Sequence, residues 1–210
     1  FIAPALSQEW GIDRASLGPV MSAALIGMVF GALGSGPLAD RFGRRIPLLA
    51  GMAVYVLAAA SAFIVTDFNA LLVLRALQGA GAAATMVISI ALVRDLFAGD
   101  EMAKTLSLVF MVMMASPIFA PGLGQFLLSI MPWQGLFGFM AAFGAIVMAW
   151  TFLRLPETLH PEYRRPFTAK AIVEGFGLVF GNRVSLSYIM ATALLFGALM
   201  GFLTSSQQIY

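Results

Sequence analysis

Two apolar segments, Leu17–Leu38 and Ile46–Thr66, are joined through one short charged stretch, GPLADRFGRR, Gly36–Arg45. Each segment is about 20 residues long, the length that crosses a bilayer's hydrocarbon as a helix. Two spans that close in sequence can only form a hairpin at one membrane face. Arg41, Arg44 and Arg45 assign that face to the cytoplasm, because Lys and Arg in short loops resist translocation.

The pattern repeats along the chain. Ala70–Val93, Thr105–Ile130, Gln134–Leu153 and Val184–Ser206 are further apolar segments of bilayer length, which predicts an all-α, polytopic membrane helical bundle. Asp67-Phe68-Asn69 and Met131-Pro132-Trp133 read as tight outer turns, with Trp133 at the headgroup level. The fifth span is expected to be broken by Pro117 and Pro121, which remove backbone donors and bend the helix, and Gly122 and Gly124 thin it. Arg94–Lys104 and Arg154–Arg183 read as inner links. Of twelve Lys and Arg, ten fall on the inner side of this alternation; Arg14 falls on the other side and Arg75 inside a span.

Composition agrees with lipid as the solvent: 60% of residues are hydrophobic and 10% charged, against about 25% charged in a soluble domain. A formal charge of +2 is too small to argue for nucleic acid. There is no cysteine, and His160, the sole histidine, falls in a polar link, so neither a metal site nor a cofactor is expected. No span carries a histidine or a paired carboxylate, so an enzyme's acid–base or metal chemistry lacks its groups in the bilayer.

The long inner link divides in two. Leu155–Pro166 holds three prolines and reads as a loop. Thr168–Asn182 places Ile172, Val173, Phe176, Val179 and Phe180 on one helical stripe, which fits an amphipathic helix on the inner surface or an extension of the last span. Phe1–Leu6 reads as the outer end of a first span, followed by a polar link, Ser7–Ser16. The chain begins and ends within or beside apolar segments, and is read as an internal piece of a longer protein.

Arg75 is the one full charge placed within a span. A charge at that depth is costly and usually functional. Gln78, Gly79, Ala82, Met86 and Ser89 share its helix face at three- and four-residue steps, an arginine and an amide among mostly small residues. Arg75 also lies only about 8 Å in from Ala70 at about 1.5 Å per residue, within snorkelling reach of the outer face. None of the ten Asp and Glu lies in the middle of a span. Gly27 and Gly31 have the spacing at which helix backbones approach closely in lipid. The thirteen Met and eighteen Phe read mainly as packing or lipid-facing groups.

The charged stretch resembles the loop signature of the major facilitator superfamily, G-x-L-A-D-R-x-G-R-K-x-x-L. Gly36, Leu38, Ala39, Asp40, Arg41, Gly43, Arg44 and Leu48 match, and Arg45 replaces lysine. Leu71, Arg75, Gln78, Gly79, Gly81, Ala82 and Ala83 match a second signature, L-x-x-x-R-x-x-Q-G-x-G-A-A. Met113–Leu128 partly resembles the antiporter signature G-x-x-x-G-P-x-x-G-G through Pro121 and Gly124, with Ser116, Ala120 and Gln125 where glycines are expected. The A-P-x-x-G form and the PETL after the sixth span resemble Bcr/CflA-type drug:proton antiporters. FIAPAL and LGPVMSAALIGMVFGA resemble aromatic acid:proton symporters.

This resemblance implies the amino-terminal bundle of a twelve-helix carrier, built as a 3+3 inverted repeat; the superfamily is a standard example of that architecture. It implies a bundle at 1–153 with its first helix truncated, an inner linker at 154–183 and the first helix of a second bundle at 184–210. The implied function is a secondary active transporter exchanging small amphipathic organic molecules for protons by alternating access, in a bacterial inner membrane. Proton-coupled uptake of aromatic acids is the alternative, and a non-transporting receptor or scaffold is the alternative of another class. Arg75, Gln78, Gly79, Ala82 and Met86 would line the substrate and proton pathway. Gly36, Asp40, Arg41, Gly43, Arg44 and Arg45 would form a conformational switch, and Pro117, Pro121 and Gly124 a helix bend. The partners implied are a small-molecule substrate, protons, the bilayer, and the missing first helix and carboxy-terminal bundle. A proton-carrying carboxylate would lie in those missing parts, so this piece alone is not expected to transport.

Overall fold

The computed structural model describes residues 18–160, 162 and 168–209; the expected first-span remnant Phe1–Leu6 and link Ser7–Ser16 lie outside them. Seven helices follow one another: α1 (Gly18–Phe42), α2 (Arg45–Ile64), α3 (Phe68–Leu96), α4 (Gly99–Ile130), α5 (Trp133–Arg154), α6 (Ala169–Gly181) and α7 (Arg183–Ile209). No strand occurs among the described residues. Helices α1 to α5 are long and apolar enough to cross a membrane. In lipid each backbone N–H and C=O must be satisfied within the segment, which a helix does by itself.

By its internal contacts the chain divides into two units, Phe1–Arg165 and Pro166–Tyr210. In the first, α3 is the spine. It packs on α1 and on α2, and α2 packs on α5. The sequence permits this because the facing residues are small. A Cβ on Gly27 or Gly31 of α1 would fall on the backbone of Ala76 or Ala80 of α3, and one on Gly79 would fall on Ala24. The expected packing role of Gly27 and Gly31 therefore takes a specific form: the glycines meet alanine main chain.

Two apolar clusters close the ends of the unit. Val20, Ala62, Leu71, Trp133 and Phe137 form one; Ala39, Leu48, Met52, Ile88 and Leu92 form the other. Trp133 corrects the sequence expectation. It is 3% exposed and sits edge-on to Phe137, with ring centroids 6.1 Å apart. The start of α5 turns the indole inward, so the residue plugs the bundle instead of anchoring at the headgroups.

The links are shorter than the polar runs suggest. Only Phe97 and Ala98 separate α3 from α4. An apolar run marks the hydrocarbon, but the helix continues past it while its backbone bonds hold. Asp67 caps α3 by accepting from the Ala70 amide at 2.7 Å, and Asp100 and Glu101 occupy the positive first turn of α4. Helix α4 also runs on through Pro117 and Pro121, where a break was expected. Each proline lacks the N–H that a carbonyl one turn earlier would take, at Met113 and Pro117.

In the second unit, the described part of α6 meets α7 at an angle of 87°. The Asn182 side chain makes the corner. Its carbonyl oxygen accepts from the Val184 amide at 2.9 Å and the Ser185 amide at 3.2 Å, which caps the start of α7. Phe176 and Phe180 stack along α6 with centroids 6.3 Å apart.

Candidate functional site

The charged turn is built around Arg44. Its Nη1 donates to Asp40 Oδ1 at 2.7 Å, and its Nε donates to Asp95 Oδ2 of α3 at 2.8 Å. The Arg44 side chain is only 12% exposed. Burial works against the cation, but the bonds and charges of Asp95 and Asp40 outweigh it and hold the guanidinium above its usual pKa. One arginine thus joins the end of α1, the start of α2 and the end of α3.

A carboxylate from α5's far side completes the joint. Glu157 accepts from the main-chain amides of Arg44 (2.7 Å) and Arg45 (3.2 Å), and from those of Thr158 (3.1 Å) and Leu159 (3.0 Å). Partial burial would raise its pKa, but these four donors stabilise the anion and hold it below the usual carboxylate value. The approach explains Gly43. Its φ is +91°, and a Cβ there would collide with the Glu157 carboxylate. Arg45 reaches the same region: Nη2 donates to the Phe152 carbonyl at 2.7 Å, and the guanidinium lies 5.4 Å from the Phe152 ring centroid.

The remaining residues of the turn are placed differently. Gly36 is half-buried, with open space where a Cβ would stand. Arg41 is exposed and forms no ion pair among the described residues. Of the three arginines of the turn, Arg44 alone pairs with carboxylates through its side chain among the described residues.

Arg75 lies about 30 Å along α3 from Asp95, at about 1.5 Å per residue. Its Nη1 donates to Gln78 Oε1 at 2.6 Å, one turn deeper into the span, and its guanidinium sits 5.7 Å from the Phe137 ring centroid. Gln78 is 3% exposed, its amide nitrogen is 4.0 Å from Met140 Sδ, and the Tyr55 side chain lies close to it. Arg75 Nε is buried without an acceptor among the described residues. A guanidinium among Phe137, Gln78 and Tyr55 has spare donor capacity and, among the described residues, no carboxylate beside it, so it can take up a further anionic or carbonyl group.

The face predicted around Arg75 divides. Gln78 stays with it, Gly79 is consumed in packing on Ala24, and Met86 is exposed. Ala82 lines a cavity of ≈ 280 Å³ with Met52, Tyr55, Thr85, Phe143 and Gly144, between α2, α3 and α5. Pro117 is exposed on α4, and Pro121 and Gly124 are half-buried. No group of His, Asp and Glu that could hold a metal occurs among the described residues.

Sequence reasoning missed Glu157, Asp95 and Tyr55 as members of these clusters. PETL was read as a loop and a likeness, although a glutamate just past a helix end, facing two free amides at a helix start, is a capping arrangement. Tyr55, Phe137 and Met140 carry no signal that a single sequence would show.

An all-α bundle of bilayer-length helices, locked by ionic contacts at one end and holding an arginine within a span, defines an integral, multi-pass membrane protein. The chain belongs to the Major Facilitator Superfamily, whose profile matches residues 1–210. A bicyclomycin resistance protein homolog of Haemophilus influenzae is 34% identical over 187 residues, 88% of this chain and 46% of that protein. The multidrug resistance protein MdtL of Shewanella oneidensis is 31% identical over 210 residues, 95% of this chain and 53% of that protein. The 4-hydroxybenzoate transporter PcaK of Pseudomonas putida is 66% identical over 86 residues, 41% of this chain and 19% of that protein. The chain thus spans about half the length of the two drug-resistance relatives. The names of these relatives are those of transport and resistance proteins, not of enzymes.

Proposed function

We propose that the whole protein is a secondary active transporter that exports small amphipathic organic molecules in exchange for protons, by alternating access in a bacterial inner membrane. The observation that carries the reading is Arg75, half-buried within a span. Its guanidinium is held by Gln78 at 2.6 Å and keeps one donor unpartnered. Such a cation biases a nearby carboxylate toward its charged form and helps it release a proton. The described spans supply no such carboxylate, so the proton carrier is assigned to the parts of the protein beyond this chain. In the same reading 1–153 is the first bundle, 154–183 the linker and 184–210 the start of the second bundle. The Asp40–Arg44–Asp95 cluster is a contact made in one carrier conformation and released in the other.

Proteoliposomes holding the full-length protein test both parts. Arg75→Ala should abolish drug efflux driven by an imposed pH gradient while leaving substrate counterflow. Proton-driven flux at the parental rate would reduce Arg75 to a structural residue. Asp40→Asn should impair both modes with normal expression, and unimpaired exchange would remove the switch.

A second reading, proton-coupled uptake of aromatic acids, is favoured by the 66% identity over 86 residues to the 4-hydroxybenzoate transporter. Accumulation of labelled 4-hydroxybenzoate under an inward proton gradient, without efflux of lipophilic cations, would select it.

A further inference from the structure

We propose that the cavity at the positive end of the bundle, between α2, α3 and α5, binds an anionic phospholipid, with Arg154 holding the phosphate. The cavity has a volume of ≈ 310 Å³ and is lined by Leu48, Ser89, Leu92, Trp150, Thr151, Arg154 and Leu155. Its lining carries one cation, two hydroxyls and no carboxylate. Two acids of this end are engaged elsewhere: Asp95 with Arg44, and Glu157 with four amides. Arg154 itself is exposed and makes no hydrogen bond or ion pair among the described residues. Arg44 and Arg45, on the same end, are both engaged within the protein, Arg44 by Asp40 and Asp95 and Arg45 by the Phe152 carbonyl, although Arg45 Nε has no acceptor among the described residues.

The shape fits an amphiphile better than a free ion. Trp150 lies one turn inward of Arg154, about 6 Å, and Ser89 lies about 9 Å inward of Asp95, at about 1.5 Å per residue. The cavity therefore runs from the charged end of the helices down into the apolar zone. Leu48, Leu92, Leu155 and Trp150, the last 68% exposed, give it an apolar lining. A phosphate alone would satisfy Arg154 and leave the apolar wall uncovered. A lipid covers both, its headgroup on the cation and its chain along the leucines. Basic pockets between spans on the cytoplasmic side are where anionic headgroups bind. The inference stands apart from what the protein transports.

The test is native mass spectrometry of the purified full-length protein with phosphatidylglycerol or phosphatidylcholine. Phosphatidylglycerol should be retained in preference. Arg154→Gln should lower its retention about fivefold, the factor expected for one basic group near a charged surface, with phosphatidylcholine unaffected and Arg154→Lys close to parental. Ser89→Leu, which narrows the cavity with Arg154 in place, should also lower retention, and it decides the question if Arg154→Gln fails to fold. Unchanged phosphatidylglycerol retention in Arg154→Gln, or in Ser89→Leu, would overturn the proposal. So would displacement of the lipid by millimolar inorganic phosphate, which would leave only a solution anion site.

Discussion

Helices α3 and α4 are neighbours in sequence, both of bilayer length and comparably apolar, yet they live differently. Helix α3 buries Leu71, Gln78, Gly79, Gly81, Ala83, Ile88 and Leu92; α4, although longer, buries Leu127 alone. The difference is in the small residues. Gly79 and Gly81 of α3 stand where a Cβ would strike Ala24 and the Gly51 carbonyl, whereas Gly122 and Gly124 of α4 face open space. Hydropathy finds a span; the placement of glycine against a facing backbone finds its neighbours.

The comparison can be broken most directly at its centre. Gly79→Leu should leave little folded protein, because overpacking costs about 1–3 kcal/mol even where a core can shift, and here the obstacle is main chain. A melting temperature near the parental one in fluorescence-detected size exclusion would mean that α1 and α3 do not meet as described.

Next in size is Arg44→Ala, which releases the end of α3 from the charged turn. It removes two charge-assisted bonds and leaves Asp40 and Asp95 facing one another, for a loss of about 2 kcal/mol. Arg44→Ala with Asp95→Ala should lose less than the sum of the single changes, in a double-mutant cycle read by thermal melting. Full additivity would show that the bond is not made.

Acid should act through Glu157. Its folded pKa is depressed, so the stability it contributes is complete above the ordinary carboxylate value, near 4.3, and is lost as pH falls through the lower folded value. The melting temperature should therefore be insensitive to this group from pH 8 to 5 and fall below that. Glu157→Gln should remove that part of the acid sensitivity; an unaltered profile below pH 5 would take Glu157 out of the joint. Arg44, whose pKa is raised, stays charged throughout this range.

The smallest effect should be on α4. Gly124→Ala should change stability by no more than about 0.5 kcal/mol, the range of a substitution that meets nothing. A loss comparable to that of Gly79→Leu would show that the same face of α4 is covered in the whole protein, and would sharpen the contrast into one between two packing partners.

Much of the architecture was legible from periodic apolar length alone. The boundaries of α2 and α5 lie within two residues of the apolar runs, because charged or turn residues stand at both ends. The boundaries of α3 and α4 were drawn too short, since helices continue past hydrocarbon wherever a cap such as Asp67 holds them. Arg75 and Gln78 were readable as a pair from their spacing. Tyr55 and Phe137 were not, because which residues of α2 and α5 reach α3 depends on packing angles that one sequence does not encode. Trp133 misled for a physical reason: an indole at a span's end suits both an interface and a plug, and only the inward start of α5 decides between them.

The joint at Glu157 has a practical consequence for anyone dissecting the charged turn. Its carboxylate grips main-chain amides, and every non-proline residue offers the same amide. An alanine scan through Arg41, Arg44 and Arg45 would strip the turn of side chains and leave that grip untouched, so the scan would credit the hairpin with a rigidity it borrows from the far end of α5.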